Sequence, residues 1–263
     1  MIVALDVDFF NNKVMMTHLL SMPFITPLTL GFFGIPISYW LIMGATMIAS
    51  LWVSSTLKRR FAEHSQAIIH FTGAQVAEMM LRSHGINDVR IIQVNGHLTD
   101  HYDPVSKTVN LSESVYHENN VAAAAVAAHE VGHAVQHQQA YKWLNFRSKM
   151  VPAVNIASQM LNYFMIMSMF GAAMMQSGFM LLLFVACMAV TTFFAMVTLP
   201  VEIDASRRAL AWMERSGISS SIDHDRAKNA LHWAAMTYVV GALSSAAMLL
   251  YYVMQLLGTN RDE

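Results

Sequence analysis

The chain has 263 residues, of which 55% are hydrophobic and only 13% are charged, and its formal net charge is -1 at pH 7. Ordinary soluble domains carry about 25% charged residues, so this deficit indicates a membrane protein. The near-zero net charge gives no indication of a nucleic-acid partner, and the single cysteine, Cys187, excludes an internal disulfide bond.

The first region, residues 1–60, is predicted to hold an N-terminal segment and the first membrane span. Residues 37–57 carry no charged side chain and are long enough to cross about 30 Å of hydrocarbon. Three consecutive basic residues, at 58–60, end this span.

Residues 61–150 have ordinary polarity, and we expect them to form a small water-exposed α+β domain. Apolar residues within 73–84 recur at helical spacing, and Gly85 suits the end of that helix. The β-branched residues in 89–94 and 108–111 predict two short strands.

An alanine-rich run without proline predicts a helix over residues 121–137. Asn119 or Asn120 can cap its first turn, because a short amide side chain accepts hydrogen bonds from the free N–H groups there. Within this helix, residues 129–133 read H-E-x-x-H.

This pentapeptide carries the strongest chemical signal in the chain. Side chains four residues apart on a helix lie one turn above another, so His129 and His133 offer two imidazoles to one metal ion. Glu130 lies about 100° further round the axis, where it can take a proton from a zinc-bound water. The pattern therefore predicts a zinc site of the metallopeptidase type.

The stretch 150–201 contains no charged residue and is too long for a single membrane crossing. We predict two spans, at 151–175 and 179–199, joined by a turn at 176–178 that contains serine and glycine. Residues 151–200 would thus form a transmembrane hairpin.

Pro200 is predicted to start a new amphipathic helix, because proline is tolerated in the first helical turn. This helix and a polar linker at 218–225 make up the region 201–228. The last region, 229–263, holds a fourth apolar span at 234–257 and the C-terminus.

Two crossings return the chain to the membrane side that carries H-E-x-x-H, and the first carboxylate after the return is Glu202. Catalytic zinc sites use three protein ligands and keep one open position, and two histidines with one glutamate are a standard set. Glu202 is therefore the predicted third ligand. Asp204 is its rival, but a residue two positions along a helix faces a different side.

Basic residues near the span ends are concentrated on the motif side, which by the positive-inside rule is the cytoplasm, with both termini outside. The motif side carries Lys58, Arg59, Arg60, Lys142, Arg147, Lys149, Arg207, Arg208, Arg215, Arg226 and Lys228, and the opposite side carries Lys13 and Arg261.

With these residues assembled, the chain resembles the YugP-like family of putative neutral zinc metallopeptidases, which are bacterial membrane proteins. The resemblance runs from about residue 61 to residue 240. It rests on Asp100-His-Tyr-Asp-Pro104, Ser106-Lys-Thr-Val-Asn-Leu-Ser112, His129-Glu-Val-Gly-His-Ala-Val-Gln-His137, Leu199-Pro-Val-Glu202 and Ala205-Ser-Arg-Arg-Ala209. The family implies a peptidase.

A looser likeness is to HtpX-type and prenyl-protein (CAAX) membrane proteases, in which H-E-x-x-H is followed by a glutamate ligand that opens E-x-x-x-D. Glu202 matches that glutamate, but Ser206 stands where the pattern has its aspartate. The likeness therefore does not by itself assign to this position the role that the aspartate has behind the ligands.

Several further polar residues are candidates for supporting roles. His137 lies about 80° round the helix from His129, so packing or a contact behind the ligands is favoured over ligation. Asp100, His101 and Asp103 either orient a zinc histidine or stabilise an oxyanion, or form only a polar turn before a strand.

Other residues could reach developing charge, and the sequence does not choose among them: Arg207, Arg208, Tyr238, His224 and His232. The remaining histidines are expected at the surface: His64, His70, His84, His97 and His117.

We therefore expect a mostly α-helical integral membrane protein with four spans and a small cytoplasmic zincin-like α+β domain. One Zn²⁺ ion on His129, His133 and Glu202, with Glu130 as the base, would cleave peptide or membrane-protein substrates at the bacterial inner membrane. An extended substrate would add to the strand at 108–111.

Two other classes of function are weighed against the peptidase. A non-catalytic zinc-dependent membrane scaffold or chaperone would need the ligands but not Glu130. A metal transporter is disfavoured, because the spans are almost free of the charged and polar residues that ion pathways require.

Overall fold

The computed structural model describes residues 36–96, 99–170, 177–218 and 220–259. The predicted N-terminal segment, His97 and the first residue of the predicted turn at 176–178 lie outside the described residues. In chain order the elements are α1 (Ile37–His64), α2 (Gly73–Ser83), β1 (Arg90–Val94), β2 (His101–Asp103), β3 (Thr108–Ser112), α3 (Glu113–Tyr116), α4 (Val121–Gln138), α5 (Lys142–Phe170), α6 (Gly178–Ser216) and α7 (Ser221–Thr259).

These elements form two compact units. The motif unit comprises residues 53–148 and 198–237. The helical unit comprises, among the described residues, 36–52, 149–197 and 238–259. Helices α1, α5, α6 and α7 each contribute residues to both units.

In the motif unit the three strands form one sheet in the order β1-β3-β2. β1 runs parallel to β3, and β2 runs antiparallel to it. The predictions of β1 and β3 are confirmed. β2 was not predicted as a strand, and a polar turn was one of the alternatives for its residues. Because β3 is the central strand, both of its edges are already paired, so the predicted addition of a substrate chain to residues 108–111 is wrong.

The predicted motif helix is confirmed as α4. The side chain of Asn120 accepts a hydrogen bond from the N–H of Ala123 at 2.9 Å, so of the two candidate caps Asn120 fills the position. The alanines of the first three turns are fully buried. Small side chains let neighbouring elements approach α4 closely, and the helix is apolar on nearly every face because it crosses the interior of the unit.

The core of the motif unit surrounds α4. Residues from α2, the sheet, α3, α6 and α7 share one buried apolar cluster with it, among them Met80, Val109, Leu111, Val115, Val131, Val135, Met213 and Leu231. The predicted helix α2 is confirmed, with a capping box at Thr72 and Gly85 just after its end at a φ of 68°.

In the helical unit, three helices of the described residues are long and apolar enough to cross a membrane: α1, α6 and α7. They contain the first, third and fourth predicted spans. Helix α5 is not among them over the residues described, since Asn155, Gln159 and Asn162 reduce its apolar character. The count of four spans therefore stays a prediction.

All four of these helices share one aromatic core. Phe164 of α5 packs edge-on against Phe184 of α6, and Phe184 packs against Tyr252 of α7, with ring centroids 5.6 and 4.9 Å apart. Tyr39 of α1 meets Tyr251 at 5.7 Å. The outward faces are also apolar, with exposed leucines and isoleucines on every helix, as contact with lipid requires.

Two predicted boundaries are wrong. Pro200 lies inside α6, which continues without interruption to Ser216. Proline removes one backbone hydrogen bond, whereas ending the helix would leave up to four carbonyl groups unpaired. Helix α7 begins at Ser221, inside the predicted linker 218–225, because the hydroxyl of Ser220 accepts a hydrogen bond from the N–H of Asp223.

Candidate metal centre

The accessible side of α4 is a narrow stripe. Among the residues of this helix up to His137, only Val126, His129, His133 and His137 are partly exposed, and the rest are buried. Successive members of the stripe are three or four residues apart and so lie on one face. The two motif histidines therefore reach solvent on the one side of the helix that the core does not cover.

Helix α6 crosses α4 at Gly132, in the middle of the motif. A Cβ atom on Gly132 would lie 2.7 Å from the carbonyl oxygen of Ala205, closer than real side chains come to backbone. The glycine thus lets the two helices touch. This contact places Glu202, one turn before Ala205 on α6, against the motif histidines.

The structure brings together the three predicted ligands His129, His133 and Glu202. Their ligand atoms all lie within 4.8 Å of one another. The Oε2 atom of Glu202 is 3.2 Å from Nε2 of His129 and 3.6 Å from Nε2 of His133. The Glu202 side chain is almost fully buried, at 4% exposure.

The carboxylate of Glu202 dominates the electrostatics of this group. Burial lowers the pKa of His133, but the charge and hydrogen bond of Glu202 outweigh that effect and raise the pKa to about 9. Without a metal ion, a protonated imidazole balances the buried carboxylate. A divalent cation would supply the same compensation once both histidines are neutral.

Glu130 lies on α4 next to the ligand group and is 8% exposed. Its charge acts on His133 on one side and on Asp100 on the other. No described residue donates a hydrogen bond to its carboxylate. Its oxygens are therefore available to a small polar molecule held in the site.

Each motif histidine has a partner on the far side of its ring. Nδ1 of His129 lies 3.1 Å from the hydroxyl of Ser206, and Nδ1 of His133 lies 3.1 Å from Oε1 of Gln136. Both rings thus direct Nε2 to Glu202. Ser206, which departs from the aspartate of the looser pattern, still contacts the ring of His129.

Asp204, the rival ligand, points away from the three-residue group. Its Oδ2 atom accepts hydrogen bonds from the side chains of Gln136 and Arg208. Arg208 also donates to the amide oxygen of Gln139 and lies over the ring of Tyr141. Asp204 therefore belongs to a network that links α6 to the end of α4.

His137 does not join the ligands either. Its Nδ1 lies 2.9 Å from the hydroxyl of Tyr102 on β2, so it connects the motif helix to the sheet. Asp100 accepts hydrogen bonds from the N–H and hydroxyl of Ser112, not from a zinc histidine. Of the alternatives for Asp100, these contacts do not support the orientation of a zinc histidine.

Asp100 is nevertheless electrostatically close to the base candidate. Burial raises its pKa to about 6, against the lowering effect of the Ser112 N–H, and the charge of Glu130 raises it further. A negative charge near a buried carboxyl group disfavours its ionisation. Asp100 therefore responds to the charge of Glu130 without touching the ligands.

The other candidates have local roles or lie elsewhere. Nδ1 of His101 donates a hydrogen bond to the carbonyl oxygen of Thr99, and Asp103 accepts hydrogen bonds from Val105 and Ser106 in the turn before β3. Of the remaining candidates, Arg208 belongs to the network of Asp204, and His224 and His232 are not part of the ligand group.

One of the expected surface histidines is buried. His64 is only 6% exposed, and its Nε2 lies 3.1 Å from the amide oxygen of Asn229 on α7. A buried partner of this kind satisfies the ring nitrogen, which the sequence alone does not show. His70 and His117 are exposed as expected, and His84 is half-buried.

The donor set fits zinc. Two imidazole nitrogens and one carboxylate oxygen, all borne by helices and aimed at one point, form the ligand set that catalytic zinc sites use. The outer nitrogens of both rings already have hydrogen-bond partners, as the ligands of such sites do.

Comparison with known proteins gives a matching result. Residues 39–257 match a family described as "Putative neutral zinc metallopeptidase". The chain is also 38% identical over 221 residues to the "Putative membrane protease YugP" of Bacillus subtilis (strain 168), an alignment that covers 83% of this chain and 96% of that protein. No solved structure matches the chain. The chain therefore belongs to this family.

Proposed function

We propose that the protein is a membrane-embedded zinc metalloendopeptidase of the gluzincin-like type, cleaving membrane or membrane-proximal proteins. One zinc ion would be held by His129, His133 and Glu202. The observation that carries this proposal is the convergence of these three side chains from α4 and α6, with the carboxylate of Glu130 beside them.

At such a site zinc supplies a Lewis acid, which polarises the scissile carbonyl and lowers the pKa of water toward neutrality. Glu130 takes the proton from the attacking water and later delivers it to the leaving amine. Its carboxylate is suited to this exchange because no described residue binds it and it lies on the turn that carries both histidines.

The substrate would bind in extended form along the free edge of β2. This strand is an edge of the sheet, and the hydroxyl of its Tyr102 contacts His137 of the motif helix. Among the described strands, β2 is thus an open edge tied directly to α4. Backbone hydrogen bonds along an edge strand hold a peptide without demanding a particular sequence.

The position of the site supports a membrane topology. His133 and Glu202 lie in one group, which favours an even number of membrane crossings between them. Since α6 is apolar and long enough to be one crossing, α5 would be the other, despite its three amides. The resulting four spans, with basic residues concentrated on the motif side, orient the site toward the cytoplasm of the bacterial inner membrane.

Membrane proteomics tests the proposal in cells. Membrane fractions from cells that produce the parent protein would be compared with fractions from cells that produce Glu130→Gln. We expect intact substrates to accumulate in the Glu130→Gln cells, with their cleavage products missing. A scaffold or chaperone, which needs the ligands but not the base, predicts identical fractions and would contradict a peptidase.

A further inference from the structure

Gln136 occupies an unusual place in the motif unit. Its side chain is 0% exposed, on a helix whose other buried residues are almost all apolar. A buried amide costs free energy unless its polar atoms are hydrogen-bonded. Here the amide makes three hydrogen bonds. One is to the proposed ligand His133, and two are to residues close to the proposed ligand Glu202 in sequence.

The contacts fix which way the amide points. Its Nε2 lies 2.8 Å from the carbonyl oxygen of Val201 and 2.8 Å from a carboxylate oxygen of Asp204. Both of these groups accept hydrogen bonds, so the atom facing them must be the NH₂ group. The amide oxygen consequently faces His133, where its distance to Nδ1 is 3.1 Å.

An amide oxygen only accepts, so Nδ1 of His133 must carry the proton. In the neutral ring the lone pair is then on Nε2, the atom that faces Glu202. His129 differs, because the Ser206 hydroxyl at its Nδ1 is able either to donate or to accept. Gln136 therefore selects the ligating tautomer of one histidine, and Ser206 does not select that of the other.

The same amide contacts α6 on both sides of Glu202, through the backbone of Val201 and the side chain of Asp204. Val201 comes directly before this ligand and Asp204 follows it by two residues, and both accept from the same NH₂ group. Asp204 is itself held by Arg208. A rotation or slide of α6 relative to α4 would break these bonds at the point where the third ligand is carried.

We infer that Gln136 is a positioning residue, which sets the tautomer of the neutral His133 ring and the placement of Glu202, so that both side chains are already oriented when metal binds. This inference rests on the proposed function only in taking His133 and Glu202 as ligands. It does not depend on the identity of the substrate or on the base.

The test uses substitutions that exchange the hydrogen-bond donor of residue 136 with the acceptor of residue 204. Gln136→Glu keeps an oxygen for His133 but turns a second oxygen toward two acceptors. The purified variant should bind zinc about 10- to 100-fold more weakly than the parent, the range seen when partners behind a metal ligand are removed. Competition with a chromogenic chelator measures this change.

Adding Asp204→Asn to Gln136→Glu supplies an amide that donates to the new carboxylate. The double variant should recover about tenfold of the lost zinc affinity, whereas Asp204→Asn alone should stay within about threefold of the parent. Recovery of this kind is not expected from a residue that only fills space. A double variant that binds zinc no better than Gln136→Glu would overturn the inference, as would parental affinity in Gln136→Glu.

A second measurement needs no variant. The imidazole nitrogen resonances of the zinc-loaded parent should show His133 bound through Nε2 with a hydrogen-bonded proton on Nδ1, and metal on Nδ1 would overturn the inference. Neither measurement uses peptide cleavage. Both therefore test the role of Gln136 even if the purified protein cleaves no peptide. A parent protein that binds no zinc would overturn this inference and the proposed function together.

Discussion

Gly132 and Ala205 form the contact at which the two ligand-bearing helices meet. A Cβ atom on Gly132 would lie 2.7 Å from the Ala205 carbonyl oxygen and 3.2 Å from its Cα. The obstruction is backbone, which does not move aside as a side-chain end would. The separation of α4 and α6, and with it the distance from the motif histidines to Glu202, therefore depends on the missing side chain.

Gly132→Ala should weaken zinc binding by at least about tenfold and lower the melting temperature, although alanine is favoured over glycine in helices by about 1 kcal/mol. Gly44→Ala is the matched control, since Gly44 is also inside a helix but its Cβ would meet nothing within 4 Å. Zinc titration and thermal unfolding measure both effects. Parental zinc affinity in Gly132→Ala would contradict the role of the helix contact.

Glu202, and neither Asp204 nor His137, is expected to complete the metal site. Glu202→Ala should lose zinc steeply, because it removes one of three ligands. Asp204→Ala and His137→Ala should retain most of the zinc, because neither side chain faces the ligands. Asp204 contacts Gln136 and Arg208, and His137 contacts Tyr102. Metal content of the three purified variants decides between them. Full zinc in Glu202→Ala, with loss in either of the others, would identify a different third ligand.

Asp100 and Asp103 should respond to pH with opposite signs. Burial raises the folded-state pKa of Asp100 from 3.8 to about 6, so its ionisation opposes folding progressively as pH rises through this window. Asp100→Asn should therefore raise the melting temperature of the metal-free protein by about 3 °C at pH 8. Near pH 4, where Asp100 is protonated, the substitution should change the melting temperature little.

Asp103 is the control for this effect. Despite partial burial, hydrogen bonds from Ser106 and Val105 lower its pKa below 3.8. Its carboxylate thus adds stability above that pH, which is lost as the pH falls through the lowered value. Asp103→Asn should accordingly lower the melting temperature at pH 8. Equal shifts in the two variants at pH 8 would show that local charge does not govern either site.

Reporter fusions test the membrane topology. A reporter that is active only in the cytoplasm should be active when fused after residue 120, silent after Ser177 and silent after Glu263. The fusion after Ser177 asks whether α5 crosses the membrane, as the proposed topology requires. Activity after Ser177 would place both ends of α5 on one side and contradict four spans.

The sequence was sufficient to predict features that depend on residue type and helical spacing alone. The motif helix and the pairing of two histidines follow from alanine content and a four-residue spacing, both local properties. The cap was narrowed only to Asn119 or Asn120. Glu202 followed from membrane crossings, because the hydrophobic stretches are long enough to count. These features need no knowledge of which elements pack together.

Tertiary contacts explain what the sequence did not predict. Three residues form β2 only because β3 offers them an edge, and Pro200 stays helical because α6 continues on both sides of it. Gln136 shows no pattern of its own, since its role depends on Val201 and Asp204, which are distant in sequence. A polar side chain amid the apolar faces of α4 was the one available signal.

The most direct test of a zinc peptidase is Glu130→Gln in purified protein. The amide cannot accept a proton, so peptide hydrolysis should fall by about 100- to 10,000-fold while zinc content and melting temperature stay close to those of the parent. Glu78→Gln, the same substitution at an exposed residue of α2, should hydrolyse peptides at the parental rate. If Glu130→Gln with full zinc hydrolyses peptides as fast as the parent, Glu130 is not the base and the proposed mechanism is wrong.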